Sequence, residues 1–145
     1  MVSQALQQNE GRSISPARDR LARVLMIVLG IASVGAFANA AYGFGATLPE
    51  RINIEAWRML AFLVFAGLFI LLGLFPRRLP GIWEIAFFHK AAITIFVLFI
   101  VPTHIADAPL SDNTGNIILV DGSLAIVTLV SYVLAKGWRS WSLRA

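Results

Sequence analysis

Apolar residues in this chain form four long blocks and do not recur at the spacing of an amphipathic helix or strand. The blocks lie at about residues 21–42, 56–75, 82–101 and 116–135. A hydrocarbon core about 30 Å thick needs roughly 20 mostly apolar residues to be crossed as a helix. Because each block meets that length, the pattern predicts an all-α integral membrane protein. Its fold would be a four-transmembrane-helix bundle with up-down topology over residues 21–136.

Polar segments flank and separate the apolar blocks. Residues 1–20 form a polar N-terminal segment, in which Ser15 and Pro16 have the pattern of a helix start, a hydroxyl cap followed by proline. The sequence PRRLPG at 76–81 predicts a short turn, because proline blocks the continuation of a helix. Residues 137–145 form a basic tail expected at the membrane interface. Longer loops are predicted at 43–55 and 102–115.

Composition agrees with a membrane protein. The chain is 58% hydrophobic and 14% charged, whereas soluble domains carry about 25% charged residues. The formal net charge is +4, but the basic residues lie at the ends of the blocks. That placement indicates membrane topology and contact with anionic headgroups of the lipid bilayer, and no nucleic-acid partner is expected. The absence of cysteine excludes disulfides, thiolate metal sites and catalytic thiols.

The distribution of basic residues predicts the orientation. With four spans, one side of the membrane receives nine basic residues: Arg12, Arg18, Arg20, Arg23, Arg77, Arg78, Lys136, Arg139 and Arg144. The other side receives Arg51 and Arg58. The positive-inside rule therefore predicts that both termini lie in the cytoplasm of a bacterial inner membrane. Tryptophans typical of an aromatic belt would mark the interfaces. They are Trp57 outside and Trp83, Trp138 and Trp141 inside.

The first block has two interpretations. A basic front, an apolar stretch and the sequence Ala38-Asn39-Ala40 have the layout of a cleavable secretory signal. Small residues four positions apart, such as Ala32 and Ala36, instead favour close packing of a retained helix.

The third block carries three ionisable residues within seven positions, in the sequence EIAFFHK. At 100° per residue, Glu84, His89 and Lys90 point in three different directions. They therefore form neither a metal site nor a catalytic triad, and each needs a partner from another helix, a ligand or water. Lys90 lies about 13 Å along the helix from Gly81, near the middle of the membrane.

Two polar stripes on the third and fourth blocks predict a polar seam inside the bundle. Lys90 and Thr94 share one face of the third helix, and Asp121, Thr128 and Tyr132 share one face of the fourth. We expect an inner cluster at one end of the polar seam and an outer cluster at the other. The inner cluster comprises Glu84, Lys90 and Tyr132, and the outer cluster comprises Asn39, Arg58 and Asp121.

These candidate binding residues also have structural interpretations. Lys90 can snorkel toward the cytoplasm or form an ion pair instead of serving a ligand or a proton path. Asp121 can pair with Arg58, and His89 can donate a hydrogen bond between helices. Glu84 can be an interfacial residue near the basic turn. Both histidines lie at or beyond the third block, so no haem held by two helices is expected, nor any metal.

The layout resembles the DoxX-like family of small four-helix bacterial membrane proteins. The similar features are a small-residue-rich first helix (GIASVGAFANAA), a second helix that ends in a basic turn (LLGLFPRRLPG), and a third helix that follows at once. The resemblance covers about residues 21–136. It implies a subunit or partner of a membrane-linked redox enzyme, with quinone or lipid as the ligand class. No catalytic residue is carried over.

Three functions follow from these observations. The first is an accessory or assembly subunit of a quinone-linked redox system, bound to a larger membrane protein and without catalytic activity of its own. The second is an oligomeric small-solute or ion transporter or channel, with the polar seam around Lys90 and Asp121 at an interface between copies. The third is an enzyme acting on lipid or quinone through Glu84, His89 and Lys90, which the diverging directions of these side chains disfavour.

Overall fold

The computed structural model describes residues 15–100 and 114–142, and every regular element in these ranges is helical. The α-helices are α1 (Pro16–Gly43), α2 (Ile52–Leu74), α3 (Ile82–Ile95), α4 (Thr114–Ala135) and α5 (Arg139–Ser142). The 3-10 helices Phe44–Ala46 and Pro49–Arg51 join α1 to α2, and a π-helix, Phe96–Ile100, continues α3. Four of the helices are long and apolar enough to cross a membrane, which confirms the all-α class and the four predicted helices.

The first helix begins earlier than the apolar block alone indicates. Pro16 opens α1, so the last residues of the polar segment 1–20 belong to the helix. The Ser15 hydroxyl makes no capping hydrogen bond, and its carbonyl accepts one from the backbone N–H of Asp19 at 3.1 Å. Three other predicted parts lie outside the described residues. They are residues 1–14, nearly all of the loop 102–115 and the last residues of the tail, 143–145.

The four long helices pack in a ring, each against two neighbours. Helix α1 contacts α2 and α4, and α3 contacts the same two helices from the other side. The core between them is apolar, and its largest fully buried side chains include Met26, Phe69, Leu72 and Trp83. Most other large apolar side chains of the spans point outward. That distribution is expected when the surroundings are lipid, because lipid tails are as apolar as leucine.

Helices α1 and α2 approach closely at two glycines. A Cβ added to Gly30 would lie 2.6 Å from Cγ1 of Ile70, and one added to Gly73 would lie 2.7 Å from Cδ1 of Ile27. Of the alanines predicted to form the close contact, Ala32 is exposed, whereas Ala36 and Ala40 are half-buried, and the observed close approach is at Gly30 and Gly73. Hydrogen side chains at these two positions allow the helices to approach closely.

The C-terminus of α4 has a Schellman motif. Gly137 N–H donates to the carbonyl of Tyr132 at 2.8 Å, and Lys136 N–H donates to that of Val133 at 3.2 Å. Lys136 occupies the left-handed position with φ +50°, where glycine is usual. The glycine comes one residue later because a Cβ at Gly137 would lie 2.4 Å from the Tyr132 ring. This turn directs α5 back toward the start of α3.

Candidate functional site

Lys90 and Asp121 form an ion pair inside the bundle. Nζ of Lys90 lies 2.7 Å from Oδ1 of Asp121 and 4.0 Å from the ring centroid of Phe65 on α2. Only 6% of Lys90 is exposed, so its side chain does not snorkel. The ammonium contacts the fourth helix, as the polar seam predicts. Its charge is balanced by the carboxylate and further stabilised by the aromatic face.

The threonines of the polar seam bond to their own helices. Thr94 Oγ1 donates to the carbonyl of Lys90 at 2.8 Å, and Thr128 Oγ1 donates to that of Leu124 at 2.7 Å. Each hydroxyl thus donates to a backbone carbonyl one turn earlier in its own helix, as threonine commonly does inside helices. Gly122 of α4 faces Thr94 at this level, and a Cβ added there would make an ordinary van der Waals contact with Cγ2 of Thr94 at 3.4 Å. Thr94 and Thr128 therefore offer no free donor toward the ion pair.

Glu84 is the acceptor of a second polar cluster, near the start of α3. Its Oε1 accepts hydrogen bonds from the hydroxyl of Tyr132 and from Nε1 of Trp141, both at 3.1 Å. Its Oε2 is buried and has no hydrogen-bond partner among the described residues. The structure thus brings Glu84 and Tyr132 together as predicted. It does not bring Lys90 to them, because that ammonium is held by Asp121 farther along the helix.

Trp83 is a core residue, so it does not face the lipid as the residues of an aromatic belt do. The side chain is 1% exposed, and its Nε1 donates to the carbonyl of Pro76 at 2.8 Å. A tryptophan can be buried in this way because its single donor has a partner inside the fold. The exposed indoles are Trp57, Trp138 and Trp141.

Sequence reasoning missed an ion network at the turn between α2 and α3. The Asp19 carboxylate contacts the Arg77 guanidinium, and its Oδ2 lies 2.8 Å from Nε of Arg23. Arg23 also donates to the carbonyl of Leu74 at 3.0 Å, and Arg77 donates to that of Ala135 at 3.3 Å. The spacing of Asp19 and Arg23, four residues apart on one helix, is the signal that identifies such a pair. Arg77 therefore neutralises Asp19 and not Glu84.

The predicted outer cluster does not form. Arg58 contacts Glu55, one turn earlier on α2, and Arg51 shares that carboxylate at 3.4 Å. A local partner on the same helix satisfies Arg58, while Asp121 is held by Lys90, so the predicted Asp121–Arg58 pair is wrong. Asn39 is exposed and lines a cavity of about 360 Å³ that Arg58 also borders.

His89 lies on the outer face of α3. Its ring centroid is 4.7 Å from that of Phe65, and it makes no hydrogen bond to the described residues, so the predicted hydrogen bond between helices is not present there. His89 lines an apolar groove of about 760 Å³ that begins at Glu84 and follows α3. A smaller groove of about 230 Å³, bordered by Phe87 and Leu129, opens on the other side of Glu84.

The polar groups of the bundle therefore fall into separate sets that differ in their surroundings. The Lys90–Asp121 pair is closed within the bundle, whereas Glu84 has an unpartnered oxygen beside two apolar grooves. Among the described residues, no group of three or more potential metal ligands comes together. Comparison of the chain with protein-family models, curated proteins and solved structures gives no match.

Proposed function

We propose that this chain is an accessory or assembly subunit of a membrane-bound, quinone-linked redox system. The observation that carries the proposal is that the central charges neutralise each other, since Lys90 lies 2.7 Å from Asp121. Open space lies instead along the sides of the helices, in the grooves beside Glu84. A bundle closed at its centre and open along its sides meets other molecules laterally, as a docking subunit does. The link to quinone rests on the resemblance to DoxX-like proteins.

The test is purification of the tagged full chain in mild detergent from the organism that encodes it. We expect a larger membrane protein with quinone-reducing activity to purify with it in constant proportion. Ile85→Ala, in the large groove and 59% exposed, should reduce recovery of that partner. Ile126→Ala, 65% exposed on α4, is the matched control and should not. A chain that purifies alone and catalyses a redox reaction itself would contradict the proposal.

The proposed orientation has four helices crossing a bacterial inner membrane as an up-down bundle, with both termini in the cytoplasm. It is supported by the basic residues and by the contacts among Asp19, Arg77 and Ala135, which bring the first, middle and last segments to one end. Because the chain has no cysteine, single cysteines are clean reporters. In intact spheroplasts an impermeant maleimide should label Gly45→Cys and leave Ser142→Cys unlabelled until the membrane is opened. The reverse pattern would exclude this orientation.

The alternative is an oligomeric transporter or channel for an ion or small solute. The observation that favours it is a buried lysine paired with a partly buried aspartate within spanning helices, because such residues often mark ion and proton pathways. Liposome flux would fall in both Lys90→Ala and Asp121→Asn if the pair lines a pathway. Flux equal to that of the unsubstituted chain in both variants, each shown to be folded, would remove this alternative.

A further inference from the structure

Three arginines border one cavity at the end of α2. Arg23 of α1 and the adjacent Arg77 and Arg78 of the turn enclose about 390 Å³, and the rest of the wall is Leu74, Phe75 and Pro76. The side chains of Arg23 and Arg77 are 39% and 28% exposed, and Arg78 is exposed. A ligand from outside can therefore reach the guanidinium groups directly.

Positive charge is in excess around this cavity. Arg23 and Arg77 share a single carboxylate, that of Asp19. Arg78 has no carboxylate partner among the described residues, and its guanidinium lies 5.9 Å from the ring centroid of Phe75. Glu84 does not border the cavity, and its carboxylate accepts from Tyr132 and Trp141 instead. One acid against three arginines leaves the cavity suited to an anion.

Each of the three arginines also keeps N–H donors for such an anion. Arg23 donates through Nε and Nη1, and Arg77 donates through Nη1 alone. The Nη2 groups of both therefore have no acceptor among the residues described, and neither does the Arg78 side chain. The planar fork of a guanidinium matches the oxygens of a phosphate group. The donor set thus favours a phosphate as the anion.

The apolar part of the wall indicates where this phosphate comes from. Leu74 and Phe75 are 51% and 40% exposed, directly at the end of a helix that can span a membrane. In the membrane placement proposed above, this is the level at which acyl chains meet headgroups. Basic pockets between helices at the cytoplasmic boundary are typical sites for anionic lipids. The source that fits both parts of the wall is a phospholipid.

We propose that Arg23, Arg77 and Arg78 bind the phosphate of an anionic phospholipid in the cytoplasmic leaflet. Its acyl chains follow the exposed side chains of Leu74 and Phe75. A lipid with net negative charge is preferred over a zwitterionic one, because the excess positive charge repels the ammonium of phosphatidylethanolamine. This inference rests on the membrane placement proposed above and is independent of any redox partner.

The experiment is native mass spectrometry of the purified full chain in mixed micelles. Phosphatidylglycerol and phosphatidylethanolamine with identical acyl chains are supplied in equal amounts. We expect phosphatidylglycerol to be retained about tenfold over phosphatidylethanolamine. A large excess of inorganic phosphate should leave this ratio unchanged, since free phosphate makes no contact with the apolar wall. These two measurements need no substitution, so they stand even if a variant fails to fold.

Substitutions then assign the preference to the cavity. Arg78→Gln removes a guanidinium that has no ion pair with the described residues, and the ratio should fall about fivefold. Arg78→Lys keeps the charge without the planar fork and should lower the ratio less. Arg20→Gln is the matched control, because Arg20 is an exposed residue on α1 that does not border the cavity. It should change the ratio by less than about twofold.

Four results would overturn the proposal. Equal retention of the two lipids would show that no anionic headgroup is selected. An unchanged ratio in Arg78→Gln would assign the preference to another part of the chain. An equal fall in Arg20→Gln and Arg78→Gln would indicate diffuse attraction to the basic end of the bundle. Displacement of the lipid by inorganic phosphate would indicate a site for a water-soluble phosphate. None of these results bears on whether a redox partner purifies with the chain, so the two proposals fail separately.

Discussion

The two helix pairs of this bundle are joined by different means. Between α1 and α2 the contact is steric, with Gly30 and Gly73 leaving room for Ile70 and Ile27. Its polar contact is at the end of the pair, where Arg23 donates to a backbone carbonyl of α2. Between α3 and α4 two polar contacts, Lys90–Asp121 and Glu84–Tyr132, join the helices.

The α3–α4 interface includes an ion pair between buried Lys90 and partly buried Asp121, and a tyrosine–glutamate hydrogen bond. In lipid the hydrophobic effect does not drive helices together, so packing and polar contacts are the remaining sources of association. The comparison teaches that one small bundle uses both sources in separate interfaces. The α1–α2 interface should respond to added volume, and the α3–α4 interface should respond to altered charge.

The largest effect is expected from breaking the Lys90–Asp121 pair on one side. Asp121→Leu leaves a buried ammonium with the Phe65 ring but no carboxylate, and we expect a loss of about 3–5 kcal/mol in the free energy of unfolding. The double variant Lys90→Met with Asp121→Leu should recover most of that loss, because two apolar side chains need no compensation. Unfolding by SDS in mixed micelles measures both. A double variant no more stable than Asp121→Leu would contradict this account.

Added volume should damage the other interface. Gly73→Ala places a Cβ against Ile27 and 3.1 Å from the carbonyl oxygen of Arg23, and we expect a loss of about 1–3 kcal/mol in the same measurement. Gly67→Ala, on the same helix with no atom within 4 Å of its added Cβ, is the control. It should be neutral or stabilising by up to about 1 kcal/mol, because alanine favours helix more than glycine does. Equal losses in the two variants would exclude a steric origin.

A smaller effect is expected at the second polar contact between α3 and α4. Tyr132→Phe removes one donor to Glu84 while Trp141 keeps the other, and the ring contacts with Trp83 and Trp138 remain. The loss should be about 0.6 kcal/mol, typical of hydrogen bonds between membrane helices. A double-mutant cycle with Glu84→Ala isolates the contact. A coupling energy near zero would mean that the hydroxyl contributes nothing to the interface.

The smallest effect is expected at the exposed end of α2. Arg58→Ala breaks a contact with Glu55 in which the arginine side chain is 48% exposed, and we expect a loss below about 1 kcal/mol. Raising the salt concentration should reduce even this difference, since exposed pairs are screened. A loss comparable to that of Asp121→Leu would mean that exposure does not separate the two ion pairs.

The hydrophobic pattern was sufficient to predict the four long helices, because a membrane sets a minimum length for each span. It also indicated that Lys90 has a partner on α4, since the faces of both helices follow from their periodicity. To identify that partner as Asp121, the relative position of α3 and α4 along their axes must also be known. The hydrophobic pattern does not contain this information. Asp121 was therefore assigned to Arg58, and the nearer acid, Glu55, was overlooked.

Other features depended on helix rotation and on local donors. In sequence, a row of alanines and two glycines look equally suited to close packing. The rotation of α1 about its axis, which the sequence does not give, turns Gly30 toward α2. Trp83 was assigned to the interface because tryptophans concentrate there, but the carbonyl of Pro76 offers its N–H a partner inside the fold. The unpartnered Oε2 of Glu84 becomes visible only after Tyr132 and Trp141 are both located. The redox and transport functions stay predictions.

The Lys90–Asp121 pair has an electrical consequence for a protein in an energised membrane. Its two charges sum to zero over 2.7 Å, so the transmembrane voltage exerts almost no net force on the centre of the bundle. Removing either partner alone would leave a full elementary charge there. Moving such a charge across the whole membrane involves about 2.3 kcal/mol per 100 mV, so a single substitution would couple the centre of the bundle to the membrane potential.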